Sequence, residues 1–546
     1  MKSIATIVSL ILLTSCADKW SDHYAEDNSI EGTLWSAISQ RAELSNFAKV
    51  VKATGYDSRL NSSQMFTVFA PTNDNFTEAE ANQLVNRFLT ERHRGTRDAD
   101  NPVVRQFVQN HIALFNHSVS TLSNDSITMM NGKYEVLTNG LFGQSSISSS
   151  NQFCANGVLY TVDSPEPYFA NVYEQLSQDG QTDSLYQFIS SYSVYEFDPA
   201  ESVAGDIVNG KTVYLDSVFH LSNSLLRTYG YINREDSLYM VVAPTDEVWQ
   251  RLFNAYLPYF NYNDLTSKRD SMVLTHTRRA IADGTVFNIN AQLALQDSAV
   301  STHYQSLYRN KTSYDDPRYY LYQRPYDVGG AFSGAQETTC SNGRVLKQSQ
   351  WNIDKHQTFL QQIKVEAEQS IYVDTIIQAR EPLSIRTVPQ TNAFYGKISG
   401  NNFVEAQPLS TASSTSVRYA IPDQLSNTGY DICCVFVPAI AYNSEASAED
   451  RLPCRVRFTL TYQEQDGSVT TTTLRNPADN SVNYITTPDV VDTVLVASDY
   501  HFPTCALDLD NPQVTLRVAS NMTSSMSSTY TRTLRLDCIL LRPHKE

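Results

Sequence analysis

The sequence is short of positive charge. It holds 41 lysine and arginine residues against 58 aspartate and glutamate residues, which gives a formal net charge of −17 at pH 7. Proteins that bind nucleic acid use lysine and arginine to release counterions from the phosphate backbone, and an acidic chain repels that backbone instead. The composition therefore argues against a nucleic-acid partner.

The sequence also lacks a hydrophobic run long enough to cross a bilayer, which needs about 20 apolar residues. The leading apolar segment, residues 4–13, has only about ten and follows the positive start Met1-Lys2. A short apolar core behind a positive start is typical of a secretory signal peptide. We therefore expect the chain to be exported.

The segment that closes this leader is Leu-Thr-Ser-Cys, residues 13–16. It resembles the lipobox of bacterial lipoproteins, which implies a signal peptide over residues 1–15 and a lipid on Cys16. Residues 16–28 are acidic and resemble the tethers that send lipoproteins of the Bacteroides group to the cell exterior. The alternative is a plain secretory signal with a coincidental cysteine.

The cysteines lack metal-binding spacing. Seven of the eight remain when Cys16 is set aside, an odd number with no CxxC pair, which argues against a zinc framework and against complete disulfide pairing. Most are expected to be buried small apolar groups. For the adjacent Cys433 and Cys434, thiols on opposite faces of a strand are favoured over a strained disulfide.

Familiar catalytic motifs are missing as well. The sequence has no GxSxG elbow and no HExxH pair. Residues 205–212 match the phosphate-loop pattern GxxxxGK[ST], but a strand pattern follows where a helix is needed, so the match is accidental. The chain is predicted not to be an enzyme, although a carboxylate pair for glycoside hydrolysis would be visible only in three dimensions.

What the sequence does have is length and repetition. Its 546 residues suggest three or four domains, and three landmarks occur twice in the same order, which indicates duplication. The paired landmarks are residues 66–76 and 239–249, residues 107–112 and 272–277, and residues 154–163 and 340–349. In the first pair a strand ends in Ala-Pro-Thr, and Thr72 or Thr245 is expected to cap the next helix. The second pair contains His111 and His276, which we expect to be structural.

The combined landmarks, above all TVFAPTNDNF and NGVLYTVDSP, resemble the fasciclin domain. The resemblance implies an α/β wedge that serves adhesion or interaction rather than catalysis. It covers residues 29–165 well and residues 166–355 less well, because Arg344-Val-Leu-Lys-Gln348 breaks the apolar alternation of the last strand.

The second copy carries a long tyrosine-rich insertion, a candidate surface for a ligand or partner. Its tyrosines are Tyr304, Tyr308, Tyr314, Tyr319, Tyr320, Tyr322 and Tyr326. An extra hairpin packed onto its own domain is the alternative.

From residue 356 to residue 546 the chain becomes rich in serine and threonine, with short alternating strands that predict a β-sandwich. Its first and last strands resemble those of galactose-binding-like jelly rolls, several of which hold a structural calcium ion. That resemblance implies calcium ligands at Glu366, Glu368 and Asp537, since carboxylate oxygens suit this ion. No other cofactor is expected.

Together these patterns predict an α+β and β multidomain chain with two fasciclin-like α/β wedge domains followed by an all-β jelly-roll sandwich. The leading functional hypothesis is a lipid-anchored binding protein on the outer membrane, facing the cell exterior, that assists a nutrient importer for glycans or peptides. Expected partners are that importer or other surface lipoproteins. The alternatives are direct glycan binding by the jelly roll, through aromatic platforms, and adhesion to cells or host matrix.

Overall fold

The computed structural model describes residues 32–119, 124–208, 211–289, 298–300 and 320–545. The chain divides after Ala170 into two compact units. Cys16 and the predicted tether lie outside the described residues. Among the described helices, none has the length and apolar character of a membrane span.

The first unit is a wedge of four helices on one mixed sheet. The helices are α1 (Leu34–Ser39), α2 (Ser45–Ala53), α3 (Tyr56–Leu60) and α4 (Glu78–His93). The strands are β1 (Phe66–Pro71), β2 (Ile112–Leu114), β3 (Asp125–Thr128), β4 (Tyr134–Leu137), β5 (Leu141–Phe142), β6 (Ser145–Cys154) and β7 (Gly157–Val162). They lie in the order β2-β1-β7-β6-β5-β4-β3, and β1 and β7 run parallel.

Alternation along β1 separates two cores in this unit. Phe66, Val68 and Ala70 face the helices, whereas Phe69 faces the opposite side, where its ring stacks 3.8 Å from that of Phe142. All six residues of β1 are buried. A strand buried on both faces explains why its sequence is almost wholly apolar.

The prediction that Thr72 caps the helix after β1 is wrong. Helix α4 begins at Glu78, and its cap is Thr77, which forms a reciprocal capping box with Glu80. Thr72 instead accepts a backbone hydrogen bond from Phe76 in the turn before the helix. The capping box outcompetes Thr72 because it satisfies two otherwise unpaired backbone donors.

The second unit begins with the second wedge. Its helices are α5 (Val172–Gln178), α6 (Asp183–Ser190), α7 (Ser224–Tyr229), α8 (Asp246–Tyr256) and α9 (Arg269–Ala282). Its strands are β8 (Ser193–Val208), β9 (Lys211–Asn223), β10 (Tyr239–Pro244), β11 (Val286–Asn288), β12 (Ser298–Val300), β13 (Leu321–Gln323), β14 (Gln336–Cys340) and β15 (Gly343–Gln348). Thr245 caps α8, as predicted.

The duplication is confirmed by strand pairing. The sheet of the second wedge runs β11-β10-β15-β14, the same order as β2-β1-β7-β6, with β10 and β15 parallel. The registers also match, because Phe66 pairs with Gly157 and Tyr239 with Gly343. The broken alternation of β15 therefore leaves its pairing intact.

The asparagine of each Asn-Gly turn makes equivalent contacts. Asn156 accepts a hydrogen bond from the backbone N–H of Leu34 at 2.7 Å and donates to the carbonyl of Leu60 at 2.9 Å. Asn342 accepts from the N–H of Val172 at 2.8 Å and donates to the carbonyl of Ile232 at 2.8 Å. Both side chains thus tie the start of a module to its central strand.

Strands β8 and β9 form a long antiparallel hairpin. Of the phosphate-loop match, residues 205–208 end strand β8 and residues 211–212 begin strand β9, while residues 209 and 210 lie outside the described residues. The chain thus continues into a strand rather than into a helix. A phosphate site of that type needs the N-terminus of a helix. The match is therefore accidental, as the flanking pattern indicated.

The rest of the unit is a two-sheet antiparallel sandwich. Its strands are β16 (Ile363–Glu366), β17 (Val373–Ile377), β18 (Ser384–Thr387), β19 (Asn402–Ala406), β20 (Ser416–Ile421), β21 (Gly429–Phe436), β22 (Arg455–Gln463), β23 (Val469–Thr473), β24 (Tyr484–Ile485), β25 (Asp492–His501), β26 (Val514–Ser520) and β27 (Leu534–Pro543). One sheet runs β18-β19-β27-β21-β25, with β16 beside β27, and the other runs β17-β20-β26-β22-β23, with β24 beside β22. The inward residues of both sheets make one apolar core.

The second wedge and the sandwich are joined by a buried seam. The segment after α8 runs along the sandwich, where the hydroxyl of Tyr262 donates to the carbonyl of Leu507 at 3.1 Å and the N–H of Cys505 donates to the carbonyl of Asn261 at 2.7 Å. Tyr262 is fully buried, and the core of the wedge includes Leu507. No sequence pattern predicted this seam.

Candidate functional site

The tyrosine-rich insertion is only partly described. Tyr304, Tyr308, Tyr314 and Tyr319 lie outside the described residues, so their predicted role stays a prediction. Tyr320 and Tyr322 are each 1% exposed and pack with Phe332 in the second core of the wedge.

The prediction that Tyr320 and Tyr322 form a binding surface is therefore wrong. Strand β13 points Tyr322 inward between two exposed neighbours, and its hydroxyl donates to the carbonyl of Gly284 at 3.0 Å. Tyr326 differs, since it is 57% exposed and its hydroxyl accepts a hydrogen bond from Arg344 at 3.2 Å. Only Tyr326, of the described members, stays available to a partner.

The predicted calcium ligands lie where the first and last strands of the sandwich pair. Glu366 is directly opposite Cys538, and oxygen or sulfur atoms of Glu366, Asp537 and Cys538 lie within 4.8 Å of one another. Glu368 follows two residues along the chain and is not a member of that close group. The structure thus brings two of the three predicted ligands together.

Two neighbours already contact these carboxylates. The ammonium of Lys364 lies 2.5 Å from Oε1 of Glu366, and the hydroxyl of Ser399 donates to the same oxygen at 2.6 Å. The backbone N–H of Ser399 lies 3.2 Å from both oxygens of Asp537. The ammonium of Lys364 therefore lies against a cluster that contains two carboxylates, those of Glu366 and Asp537.

Burial disfavours the ionised form of these acids. Burial, with a smaller contribution from Glu366, raises the pKa of Asp537 to about 6, and burial raises the pKa of Glu368 to about 7. Burial also raises the pKa of the Cys538 thiol well above its usual range. Cys538 is therefore a neutral thiol and a poor ligand for a hard cation.

The oxygen donors fit calcium by their chemistry. Oε2 of Glu366 and Oε2 of Glu368 are buried without a hydrogen-bond partner, and unpaired buried carboxylate oxygens are stabilised by a cation. Glu366 and Asp537 would hold the ion, which would supply structural cross-linking of the two strands, whereas Glu368 lies outside their close group. Calcium binding itself stays a prediction.

A buried ion cluster, which no sequence motif predicted, lies on the same sheet. Glu405 is 1% exposed, and its carboxylate accepts hydrogen bonds from Arg386 and Arg535, each at 2.8 Å, and from the hydroxyl of Tyr442 at 2.9 Å. Burial by itself would raise the pKa of Glu405, but these hydrogen bonds outweigh burial and lower it to about 2. A buried carboxylate with three hydrogen-bonding partners stabilises the fold.

The paired histidines are buried. His111 shares a hydrogen bond with the carbonyl of Phe107 through Nδ1 at 2.7 Å and accepts from the N–H of Glu166 through Nε2 at 2.9 Å. His276 lies inside α9 and packs against Phe260, with no partner at Nδ1. Burial lowers the pKa of both histidines to about 4. Both are therefore neutral at neutral pH, and His111 has the expected structural role.

The seven described cysteines are free thiols. Cys434 lies in the sandwich core, whereas Cys433 lies on the opposite side of β21, beside Cys538 and Leu540. The prediction that adjacent thiols face opposite sides of a strand is confirmed. Its physical cause is the two-residue alternation of the strand.

A groove of about 670 Å³ opens between the second wedge and the sandwich. Its lining is mostly apolar, with Leu257 and Val273 from the wedge and Pro503 from the sandwich, and its charged lining residues are Arg269 and Asp270. The guanidinium of Arg269 lies 3.8 Å from the carboxylate of Asp270, as an ion pair.

These elements define a class: two fasciclin-like wedge domains followed by an all-β jelly-roll sandwich. Residues 42–165 match the family described as the Fasciclin domain. The match covers the first wedge, and the second wedge is assigned to the same fold by its strand order and register. No curated protein matches the chain significantly.

Three solved structures are similar to parts of the chain. A FAS1 domain pair from the insect cell adhesion molecule fasciclin I is 10% identical, with 58% of this chain and 98% of that chain covered and a TM-score of 0.19. The CBM22-1 xylan-binding domain of Paenibacillus barcinonensis Xyn10C is 13% identical, with 34% and 95% covered and a TM-score of 0.20.

The CBM22-1–GH10 modules of Clostridium thermocellum xylanase 10B are 9% identical, with 34% of this chain and 29% of that chain covered and a TM-score of 0.21. The match thus spans less than a third of the solved chain of those xylanase modules. Scores this low carry no argument about function. The fold assignment rests on the strand pairing described above.

Proposed function

We propose that this chain is a lipid-anchored binding protein of the bacterial cell surface that assists an outer-membrane nutrient importer. The anchor is a lipid on Cys16, which the lipobox resemblance of residues 13–16 supports. More than one acyl chain is needed for stable anchoring, and lipoproteins of this type carry two or three. The modules then work outside the membrane, by contact.

The observation that carries this proposal is the duplicated wedge. Residues 42–165 match the Fasciclin domain, and the second copy repeats its central strand pairing. Two linked interaction modules raise the effective concentration of the second contact once the first is made. Duplication therefore suits a protein that holds a partner.

We infer further that the protein is not a catalyst. His111 and His276 are neutral and buried, and Glu405 is held by two arginines. General acid–base catalysis needs accessible groups that converge on a substrate. The charged lining residues of the 670 Å³ groove, Arg269 and Asp270, lie 3.8 Å apart and form an ion pair instead.

Co-purification from the bacterium that makes the protein tests the importer role. A tagged chain, cross-linked in intact cells and purified from detergent-solubilised outer membranes, is expected to bring an importer or another surface lipoprotein with it. A Cys16→Ala chain with a plain secretory signal is the control, since it keeps the modules and loses the tether. Recovery of the wild-type chain alone contradicts the proposal.

A second candidate function is direct glycan binding by the jelly roll. The sheet that contains β20, β26 and β22 turns one face to the core, and the side chains of its other face stay accessible to solvent. That face is rich in polar side chains, such as Thr459 and Thr515, which can hydrogen-bond sugar hydroxyls. Affinity electrophoresis of the full mature chain in gels that contain polysaccharide tests this function.

A further inference from the structure

Arg418, Arg457 and Arg517 project from neighbouring strands of the sandwich onto one half-buried outer face, which Arg455 of β22 shares while donating to the carbonyl of Asn521. Arg418 on β20 lies directly opposite Arg517 on β26, and Arg457 on β22 lies opposite Ala519, two residues along from Arg517. The alternate residues of these strands, such as Leu516, fill the core. Strand alternation therefore places all three arginines on the outer side, which we name the arginine face.

The charges on the arginine face are not balanced. Arg418 forms an ion pair with Asp374. Arg517 donates through Nε to the hydroxyl of Ser416 at 2.8 Å, and this partner is neutral. Nε of Arg457 is buried and has no hydrogen-bond partner. Within the described part of the chain, neither Arg457 nor Arg517 forms an ion pair.

This arrangement opposes folding. Like charges directly opposite one another on an antiparallel pair are destabilising, and a buried donor without a partner loses its hydrogen bonds to water. The chain has a net charge of −17 and could have placed an acid here. Groups that lower the stability of the fold, and that make no compensating contacts within it, are typical of binding sites.

Threonine hydroxyls surround the arginines. Thr459 lies opposite Arg517 on β22, and in the next row Thr515 lies opposite Thr461. The hydroxyls of Thr461 and Thr471 share a hydrogen bond at 3.0 Å. The outward residues of β20, β26 and β22 include no aromatic ring, so recognition here depends on charge and hydroxyls rather than on the aromatic platforms expected from the sequence.

We propose that the arginine face binds a carboxylated polysaccharide, a chain that contains uronic acid residues. The inference rests on the glycan-binding function proposed above and specifies its ligand. The two terminal amino groups of the Arg457 or Arg517 guanidinium match a carboxylate with two parallel hydrogen bonds, and the threonines match sugar hydroxyls. A nucleic acid is disfavoured because the whole chain is strongly acidic.

Isothermal titration of the full mature chain tests this proposal with polygalacturonate as the probe. Arg457→Gln and Arg517→Gln are each expected to weaken binding about 10- to 100-fold, the usual loss for a hydrogen-bonded charge. Arg542→Gln is the matched control, because Arg542 is an exposed arginine on the other sheet whose Nε donates to Gln362. Its binding is expected to equal that of wild type.

Thermal melting provides a second readout. Arg517→Gln removes repulsion from Arg418, and Arg457→Gln removes a buried Nε that has no partner. Both variants are therefore expected to melt at the same temperature as wild type or higher, while binding is lost. A purely structural arginine would show the opposite, with a lower melting temperature and unchanged affinity. That opposite result overturns the proposal.

The choice of polymers separates the remaining outcomes. Binding to polygalacturonate but not to its methyl-esterified form supports the proposal, because esterification removes the charge and keeps the sugar. Equal binding of dextran sulfate, which carries sulfate groups but no carboxylate, or of duplex DNA through the same arginines, or no binding of polygalacturonate, overturns it. Binding to neutral polysaccharides that is insensitive to Arg457 and Arg517 overturns the inference while leaving the glycan-binding function in place.

Discussion

Glu405 shows what a single buried charged residue does on the side of strand β19 that faces away from the core of the sandwich. Its carboxylate is nearly inaccessible, and hydrogen bonds from Arg386 and Arg535 hold its pKa at about 2 although burial opposes this. Removing one partner of a buried ion cluster leaves the other charges uncompensated. Glu405 is therefore a stability residue, and nothing in its sequence context distinguishes it from a solvated glutamate.

Glu405→Gln is expected to lower the free energy of unfolding of the sandwich by about 3–5 kcal/mol, because Arg535 loses its counter-charge while buried. Urea denaturation, followed by circular dichroism, measures the loss. Asp489→Asn, which breaks the exposed pair with Arg451, is the control and should change little. An unchanged midpoint for Glu405→Gln would contradict the role assigned to this cluster.

The acids near Ser399 make the stability of the sandwich fall as the pH rises. This sign is opposite to that expected from Glu405, whose pKa is lowered in the fold. The pKa values of Glu368 and Asp537 are raised to about 7 and about 6, so the folded chain holds these protons more tightly than the unfolded chain does. Stability from these groups is present at low pH and is lost as the pH rises through their folded pKa values. A bound cation would offset that loss.

Calcium is therefore expected to raise the melting temperature of the chain at about pH 8 and to have little effect at about pH 5, where the acids are protonated. Differential scanning fluorimetry with calcium or with a chelator measures both. Asp537→Asn should abolish the calcium response. A shift that is equal at both pH values, or that survives in Asp537→Asn, would exclude this cluster as the calcium site.

At the scale of elements, the Asn-Gly turns organise both wedges. The backbone approaches so closely that a Cβ on Gly157 would lie 2.0 Å from the carbonyl oxygen of Phe66, and one on Gly343 would lie 1.7 Å from that of Tyr239. Both glycines also have positive φ, at 153° and 139°. The motif could be read from the sequence because this geometry admits only glycine.

Asn156→Ala and Asn342→Ala are each expected to cost about 1–3 kcal/mol, since each leaves buried backbone groups without partners. Hydrogen exchange by mass spectrometry should show lower protection in the strands that each asparagine touches. Asn254→Ala removes an exposed asparagine from α8 and should leave protection unchanged. If only one of the two turn variants loses protection, the equivalence of the wedges is contradicted at this position.

The fold of the wedges was largely predictable, and their insertions were not. Central strands such as β1 are buried on both faces, so their apolar pattern is strong, and the Ala-Pro-Thr ending marks where the ladder stops. Tyr320 and Tyr322 could not be placed, because a tyrosine suits a core and a wet surface equally well. The cap of α4 was misplaced because two threonines competed for it.

At the scale of the whole molecule, the second wedge and the sandwich share a core. Tyr262 lies fully buried in the seam, where its hydroxyl donates to Leu507. A seam between domains depends on contacts distant in sequence, so local patterns do not predict it. The arginine face was missed for the same reason, because its members come from strands that are neighbours only in the folded sheet.

Tyr262→Ala is expected to lower the stability of this unit by about 3–5 kcal/mol, the usual cost of deleting a large buried ring, and to separate its unfolding into two transitions. Differential scanning calorimetry distinguishes this from the single transition expected of the second unit in the wild type, beside any transition of the first unit. Tyr262→Phe, which loses only the hydroxyl, should keep one transition for the second unit. A wild type whose second unit already unfolds in separate steps would refute the shared core.

We propose that acyl chains tether these modules at the cell surface. Mass spectrometry of the N-terminal peptide of the mature chain, purified from outer membranes, tests the tether. The expected peptide begins at Cys16 and carries acyl groups. A peptide with an unmodified cysteine, from a chain recovered free of the membrane, would contradict it.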